Sequence, residues 1–281
     1  MQANIFNVWV TPMLRTAIKL LYGKRCITLK GDADQPFRFP PGEYPSLLLG
    51  VKKTYTQPYH KWMRLLNEDE HILDIGANIG YTTQAFYSIL HGKCSIAAFE
   101  PIPRNYELLK MNCKVLASEN IYPVNSAVGD YNGEAVFFDN TNFGSLSRFA
   151  PAMKSNYDKT NEWSNYTKVD VQMITLDTFF DRKNNFSPTF VKIDVEGSGG
   201  QVLSGMKHIL SQYKPLIICE FHSPEEVKSM KQILEDSGYH GIAFNGYGGM
   251  ELCTVENSEG EFVHPENPRF KLLEFTKVVY Q

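Results

Sequence analysis

Several things are missing from this chain of 281 residues. No apolar run approaches the ~20 residues that a membrane-spanning helix needs, so stable membrane insertion is not expected. There is no excess of positive charge. Lys and Arg total 28 against 31 Asp and Glu, a formal net charge of −3, which leaves no footprint for nucleic acid. The five cysteines (Cys26, Cys94, Cys113, Cys219, Cys253) are odd in number, scattered and without C-x-x-C spacing. That excludes a disulfide framework or a zinc-knuckle pattern and predicts reduced, mostly buried thiols in a cytoplasmic protein. The N-terminus lacks the apolar core and small-residue cleavage site of a signal peptide. No internal repeat is present. What remains is a chain that is 43% hydrophobic, long enough for one large α/β domain or two small ones.

The informative run is Leu73-Asp74-Ile75-Gly76-Ala77-Asn78-Ile79-Gly80-Tyr81-Thr82-Thr83. It reads as a buried strand ending in an acid, a glycine turn and the first turn of a helix that continues to Leu90. Gly76 and Gly80 let the backbone turn sharply and approach a ligand, because neither carries a Cβ. The loop amides then point at whatever the turn holds. The run is a poor match to the dinucleotide fingerprint G-x-G-x-x-G. Asn78 stands where the second glycine would be and Tyr81 where the third would be. That second glycine admits a pyrophosphate, so a nucleotide cofactor without one is expected.

A second apolar strand, Cys94 to Phe99, ends in Glu100-Pro101. A carboxylate about 20 residues beyond the glycine turn, at the end of the next strand, is placed to accept hydrogen bonds from ribose hydroxyls. Asp74, the turn and Glu100 together fit an adenosine joined to a small zwitterion, which is S-adenosylmethionine.

In order along the chain, Leu73–Thr83, Phe99-Glu100-Pro101, Asn125–Asp130 (NSAVGD), Thr175-Leu176-Asp177 and Val191–Gly197 (VKIDVEG) resemble the FkbM-type S-adenosylmethionine-dependent methyltransferases. The segments Gln201–Gly205 and Pro215–Glu220 extend the likeness, which covers roughly 59–245. VKIDVEG is its specific part. The resemblance implies a Rossmann-like α/β fold: a mostly parallel seven-stranded sheet with helices on both faces and one antiparallel edge strand. With the residue reading it nominates Asp74, Gly76, Ala77, Asn78, Gly80, Thr82, Glu100, Ser126, Ala127 and Asp194 as cofactor contacts. There is one departure. The family usually follows Glu-Gly with a small or aromatic residue and then a second glutamate; here Ser198-Gly199-Gly200 follows, and that carboxylate is missing.

Residues 1–55 are expected to be an N-terminal extension and 56–281 the methyltransferase domain. Within the extension, Pro12 to Tyr22 reads as a short amphipathic helix. Docking on its own domain, or on a sister subunit in a homodimer, is favoured over lying on a membrane because the helix is short. A helix is expected at 59–67. The periodicity predicts a helix over 104–117, a strand over 121–126 and a hairpin over 133–139. Residues 140–168 lose apolar periodicity and are expected to be a substrate loop or lid. Strands are then expected at 169–175, 189–195, 216–221, 239–245 and 270–280, with helices from 176, over 201–213 and over 224–237. Such alternation gives a mostly parallel sheet covered on both faces. The late strands without an intervening helix suggest an antiparallel pair at one edge.

In the strand through Val191–Glu196, Lys192, Asp194 and Glu196 fall on one face. Three charges on a central strand belong at its carboxyl end, where open α/β sheets bind ligands. The neighbouring strand ends in Glu220-Phe221-His222, again with two chemistry-bearing side chains on one face. Methyl transfer is an in-line displacement that needs alignment above all. A hydroxyl acceptor also gains from a base, and His222 has the suitable unperturbed pKa. His222, Asp194 and Glu196 are therefore the candidate catalytic residues. Asp194, Glu196, Glu220 and His222 also form an oxygen and nitrogen donor set of the kind that holds Mg²⁺. The sequence establishes no ligand geometry, and no metal is assigned. The expected activity is O-methylation of a sugar, glycan precursor or polyketide-like molecule, the acceptor class coming from the resemblance. An N-methyltransferase and a non-catalytic cofactor-binding scaffold are the alternatives.

Overall fold

Glu70–Ile75 (β3), Cys94–Phe99 (β4), Phe190–Ile193 (β10) and Leu216–Phe221 (β11) are largely buried, and apart from Glu70, His71 and Asp74 of β3 they are mostly apolar. Strands covered on both faces read this way, and their side chains divide between two cores. On one face Leu73, Ile75, Val191, Ile193 and Cys219 pack with Val202, Leu203, Met206, Leu210, Met230 and Leu234. On the other Ile72, Ile96, Phe190, Leu216 and Ile218 pack with Ala85, Phe86, Leu109 and Cys113. The computed structural model describes residues 12–31, 35–48, 66–140, 147–149, 166–181, 186–244 and 258–269.

The main sheet has seven strands, completed by Ile121–Val124 (β5), His240–Phe244 (β12) and Ser258–Val263 (β13), in the order β12-β13-β11-β10-β3-β4-β5. Strands β11, β10, β3, β4 and β5 run parallel, and β13 is antiparallel to both neighbours. The reversed strand therefore lies one place in from the edge, between β11 and the outermost β12. It was not foreseen at 258–263. The strand expected at 270–280 lies outside the described residues, as does 59–65 of the expected leading helix.

Tyr81–Ile89 (α3) and Pro103–Lys114 (α4) cover the side of β3 and β4. Leu176–Asp181 (α5), Gly199–Ser204 (α6), Lys207–Gln212 (α7) and Pro224–Asp236 (α8) belong to the opposite layer. The single helix expected over 201–213 is two, broken at Gly205. A Cβ there would come 1.8 Å from the Gly129 carbonyl oxygen, so only glycine allows the helix pair to dock so closely.

A second sheet stands beside the main one. Ala127–Val128 (β6), Gly133–Asn140 (β7), Ser147–Phe149 (β8) and Tyr166–Ile174 (β9) pair in the order β6-β9-β7-β8. The strand expected over 121–126 thus ends at Val124, and Ala127–Val128 joins this other sheet. The region expected to be a loop from 140 to 168 begins in β7, contains β8 and ends in β9; 141–146 and 150–165 lie outside the described residues.

The N-terminal segment holds the expected helix Pro12–Tyr22 (α1), with Ile18 buried and Leu14 and Leu21 exposed. It also holds an antiparallel pair, Ile27–Lys30 (β1) with Pro36–Phe39 (β2), and a short turn of helix, Pro45–Leu48 (α2). Phe37, Phe39, Tyr44 and Leu47 share a core with Ile79 of the glycine turn. Asn112 of α4 seals the contact through the backbone of Arg38 on both sides, N–H to Oδ1 at 2.8 Å and Nδ2 to C=O at 2.9 Å. This segment is packed onto the glycine turn and α4.

Among the described residues no helix is long and apolar enough to cross a membrane.

Candidate active site

The register brings the carboxyl ends of the central strands to one level. Ile193 pairs with Ile75, and Ile75 with Phe99. Beyond that level the ladder is continued by loop amides. Asp194 N–H donates to Ile75 C=O at 3.1 Å, and Gly76 and Ala77 N–H both donate to Phe99 C=O. Gly76 (φ 76°), Asn78 (φ 51°) and Gly80 (φ 89°) are left-handed, which is how the chain turns from β3 into α3 within five residues. Gly76 has no substitute, since a Cβ would stand 1.7 Å from the Asp194 carbonyl oxygen. The close approach expected at Gly76 is therefore made by the neighbouring loop. Gly80 opens α3 and packs against Leu109, where a Cβ would fall 2.9 Å from Cδ1.

Where these loops diverge there is a cavity of about 410 Å³, of the size that takes a small molecule. Gly76, Ala77, Asn78 and Thr82 line it from the glycine turn, and Glu100, Ser126 and Ala127 from the β4 and β5 side. Asp194 and Glu196 line it from the β10 loop, joined by Glu220. Asp74, Gly80 and His222, also singled out in the sequence, are not on its wall.

Asp74 is fully buried behind that wall. Its Oδ2 accepts from the hydroxyls of Thr82 (2.9 Å) and Thr83 (2.6 Å). The register sets Lys192 directly beside it on β10, with Nζ 3.0 Å from Asp74 Oδ1. Lys192 also donates to Gly76 C=O at 3.0 Å and lies 3.5 Å from Asp194 Oδ2. Burial by itself lowers the Lys192 ammonium, but Asp74 and Asp194 outweigh it and hold the pKa above its ordinary value. Asp74 thus acts on the site through Lys192 and the helix start, not by contact with the cavity.

Glu100 is 5% exposed. Its Oε2 accepts from Asn78 N–H (3.0 Å) and its Oε1 from Ile102 N–H (2.9 Å). Burial pushes this carboxyl up to about 7, against the lowering effect of Ile102, Asn105 and Asn78. Glu100 ties the glycine turn to the start of α4 and offers its remaining lone pairs to the cavity.

Strand β10 ends at Ile193, two residues sooner than expected, because Glu196 (φ 51°) and Gly197 (φ 98°) are left-handed. Asp194 and Glu196 therefore sit on a loop, where they meet the end of β11. His222 Nε2 is 3.6 Å from Asp194 Oδ1, 3.8 Å from Glu196 Oε1 and 3.8 Å from Glu220 Oε1. On the far side of the ring Nδ1 is 3.5 Å from Glu226 Oε2. Burial alone would lower the imidazole, but Glu196, Glu226, Glu220 and Asp194 push it up to about 10. Four carboxylates thus favour the imidazolium, which counts against the neutral base expected at His222.

Sequence reasoning missed Glu226, Tyr44, Asn105 and Ser198. Glu226 Oε2 accepts from His222 N–H and its Oε1 from Gly199 N–H, both at 2.8 Å. It fills the space beside Gly199, where a Cβ would lie 3.0 Å from its Oε1 and 2.1 Å from Met230 Sδ. A carboxylate delivered by α8 thus occupies the ground next to the position where the family's usual glutamate is missing. Tyr44 and Leu47, from the N-terminal segment, form part of the cavity wall. The Tyr44 hydroxyl donates to Asn78 Oδ1 at 2.6 Å. Beside it Arg104 binds Glu43 and, at 2.6 Å from Nε, Asp139 of β7. Ser198 Oγ, also on the wall, is buried with no hydrogen-bond partner.

A mostly parallel sheet with one reversed strand, carrying a cavity over a glycine turn and an acidic strand end, defines a Rossmann-like fold of the methyltransferase class. The chain belongs to the family described as the methyltransferase FkbM domain, whose model matches residues 74–240. It is 26% identical over 170 residues to the hexuronic acid methyltransferase AglP of Haloferax volcanii. That match covers 60% of this chain and 63% of AglP, so less than two thirds of the relative is spanned. Among solved structures it is similar to the methyltransferase FkbM of Methylobacillus flagellatus KT (17% identity, TM-score 0.48, 70% of this chain and 44% of that one). A looser likeness is to Aeropyrum pernix fibrillarin with natively bound S-adenosyl-L-methionine (11% identity, TM-score 0.41, 70% and 67%). The fold follows from the strand order itself and takes nothing from these two likenesses.

Proposed function

We propose that this methyltransferase uses S-adenosylmethionine to methylate a hydroxyl of a sugar, a glycan precursor or a polyketide-like molecule. The observation that carries the reading is the single cavity shared by the glycine turn, the buried Glu100 and the acids of the β10 and β11 ends. The hexuronic acid relative supports the sugar class.

The residues present fit the cofactor. Glu100 accepts from the N–H groups of Asn78 and Ile102 and from the Asn105 side chain, and keeps a lone pair for a ribose hydroxyl. Phe99, Val128 and Met173 give an apolar wall beside Ser126 and Ala127 for the base. Ser198 Oγ is a buried hydroxyl short of a partner on the same wall. When bound, the cofactor supplies an electrophilic methyl group. The chain's own contribution is alignment, for which well-oriented groups gain up to about 7–11 kcal/mol. The acceptor hydroxyl is oriented by Asp194, Glu196 and Glu220, which also take its proton. His222 positions these carboxylates.

The test is incubation with methyl-labelled cofactor and a panel of hexoses, hexuronic acids and nucleotide sugars. Transfer to a sugar hydroxyl is the expected result. Calorimetry should show S-adenosylhomocysteine binding and no NAD binding of similar strength; equal affinities would overturn the cofactor assignment.

A further inference from the structure

We propose that Asp194, Glu220 and His222 bind one divalent metal ion at the acceptor end of the cavity. Each offers a donor atom, and the three atoms lie within 4.8 Å of one another. Donors about 2.0–2.2 Å from a shared ion stand roughly 3–4.4 Å apart. The Nε2 separations from Asp194 and Glu220, 3.6 and 3.8 Å, fall in that interval and are too long for hydrogen bonds. The three side chains are thus spread around a gap of ionic size.

The imidazole is an observation independent of the acids. Its side chain is 10% exposed, and Nδ1 has no hydrogen-bond partner. Nε2 is aimed at the carboxylates without bonding any of them. A mostly buried imidazole whose Nε2 faces three carboxylates beyond hydrogen-bond distance is set out as a ligand would be. Glu226 lies behind Nδ1 at 3.5 Å and is anchored by Gly199 and His222 N–H. A carboxylate behind the far nitrogen is the usual support of a metal-bound histidine, which it holds in orientation.

Charge points the same way. Asp194, Glu196, Glu220 and Glu226 surround one ring, and Lys192, which reaches Asp194 at 3.5 Å, is shared with Asp74. A divalent ion would replace the imidazole proton as the charge that balances them. Two carboxylates and one imidazole suit a first-row divalent ion such as Mn²⁺ or Fe²⁺, which accept a nitrogen ligand more readily than Mg²⁺ with its oxygen preference. Asp194 and Glu220 also line the cavity, so an acceptor hydroxyl could complete the coordination shell; that role rests on the methyl-transfer reading, whereas ion binding does not.

The experiment uses the full chain, stripped with chelator and titrated with Mn²⁺ while free ion is counted by electron paramagnetic resonance. One ion per chain is expected, with pulsed spectra showing coupling to a single imidazole nitrogen. [¹⁵N]Histidine labelling should change that coupling in the parent protein, so the assignment does not depend on a variant folding. Asp194→Asn and Glu220→Gln, checked by circular dichroism, should each weaken binding at least tenfold, and Glu226→Gln about 10–100-fold. Absence of a stoichiometric ion, an ion without nitrogen coupling, or unchanged affinity in folded Asp194→Asn and Glu220→Gln would each overturn the site. An ion bound as described with no sugar methylated would count against the function and leave the site standing.

Discussion

Lys192→Met separates the charge network beneath the cavity from the cavity itself. The ammonium is 2% exposed and sits 3.0 Å from Asp74 Oδ1 and 3.0 Å from the Gly76 carbonyl. Methionine has a similar volume, so no large cavity opens. What changes is electrostatic. Asp74 keeps the Thr82 and Thr83 hydroxyls but loses its counter-charge in a fully buried position, which costs about 3–5 kcal/mol. The lost bond to Gly76 adds about 1 kcal/mol. With a urea m-value of about 3 kcal/mol/M, the unfolding midpoint should fall by roughly 1–2 M. Adding Asp74→Asn removes the stranded charge, and the double variant should recover about 2 kcal/mol or more of the loss. The assay is urea unfolding followed by circular dichroism for the parent, both single variants and the double. A single-variant cost below about 1 kcal/mol, or a double variant no more stable than Lys192→Met alone, would refute the reasoning.

Glu100 predicts a pH dependence. Its folded pKa, raised to about 7 from 4.5, makes ionisation unfavourable in the native state, so its contribution to stability declines as pH rises from about 4.5 to 7 and is level above. Unfolding free energies at pH 5 and 8 should fall by up to about 3 kcal/mol on this account. Glu100→Gln should remove that part of the slope, and equal slopes in parent and variant would contradict it. Glu100→Ala should weaken S-adenosylhomocysteine binding by about 2 kcal/mol in calorimetry. Tyr44→Phe removes the 2.6 Å bond to Asn78 and should weaken the same binding by about 1 kcal/mol with little change in the unfolding midpoint. Gly76→Ala should cost more than 3 kcal/mol in urea unfolding, because the new Cβ meets backbone at 1.7 Å and φ is left-handed.

The parts of the fold legible in the sequence are those with a local cause. β4 and β11 are mostly apolar because both their faces are covered, and the turn after β3 needs glycine for a reason that can be read one residue at a time. β13 could not be read that way. Its sequence, Ser258-Glu259-Gly260-Glu261-Phe262-Val263, has little apolar alternation, and it is a strand because β11 and β12 leave a slot that pairs with it on both sides. The same division runs through the site. Gly76, Asn78, Glu100 and Asp194 lie within motifs, whereas Tyr44 reaches Asn78 across 34 positions by a docking event that no periodicity encodes. Glu226 was hidden by a plainer role. Ser223 caps α8 by accepting from Glu226 N–H, so an acid at this position looks like ordinary helix-start chemistry. Instead the side chain turns toward His222 and Gly199. The raised pKa of His222 was also illegible, since it depends on carboxylates from three separate segments.

The contact between Gly199 and α8 also constrains the order in which this chain can change. A side chain at position 199 requires Met230 to move, since its Sδ would lie 2.1 Å from the added Cβ, and crowds Glu226 Oε1 at 3.0 Å. A lone Gly199→Glu change would meet both, and a lone Glu226→Ala change would orphan the N–H groups of Gly199 and His222. A glutamate at position 199 therefore depends on what α8 presents, and a laboratory attempt to restore one should begin with Met230 and Glu226.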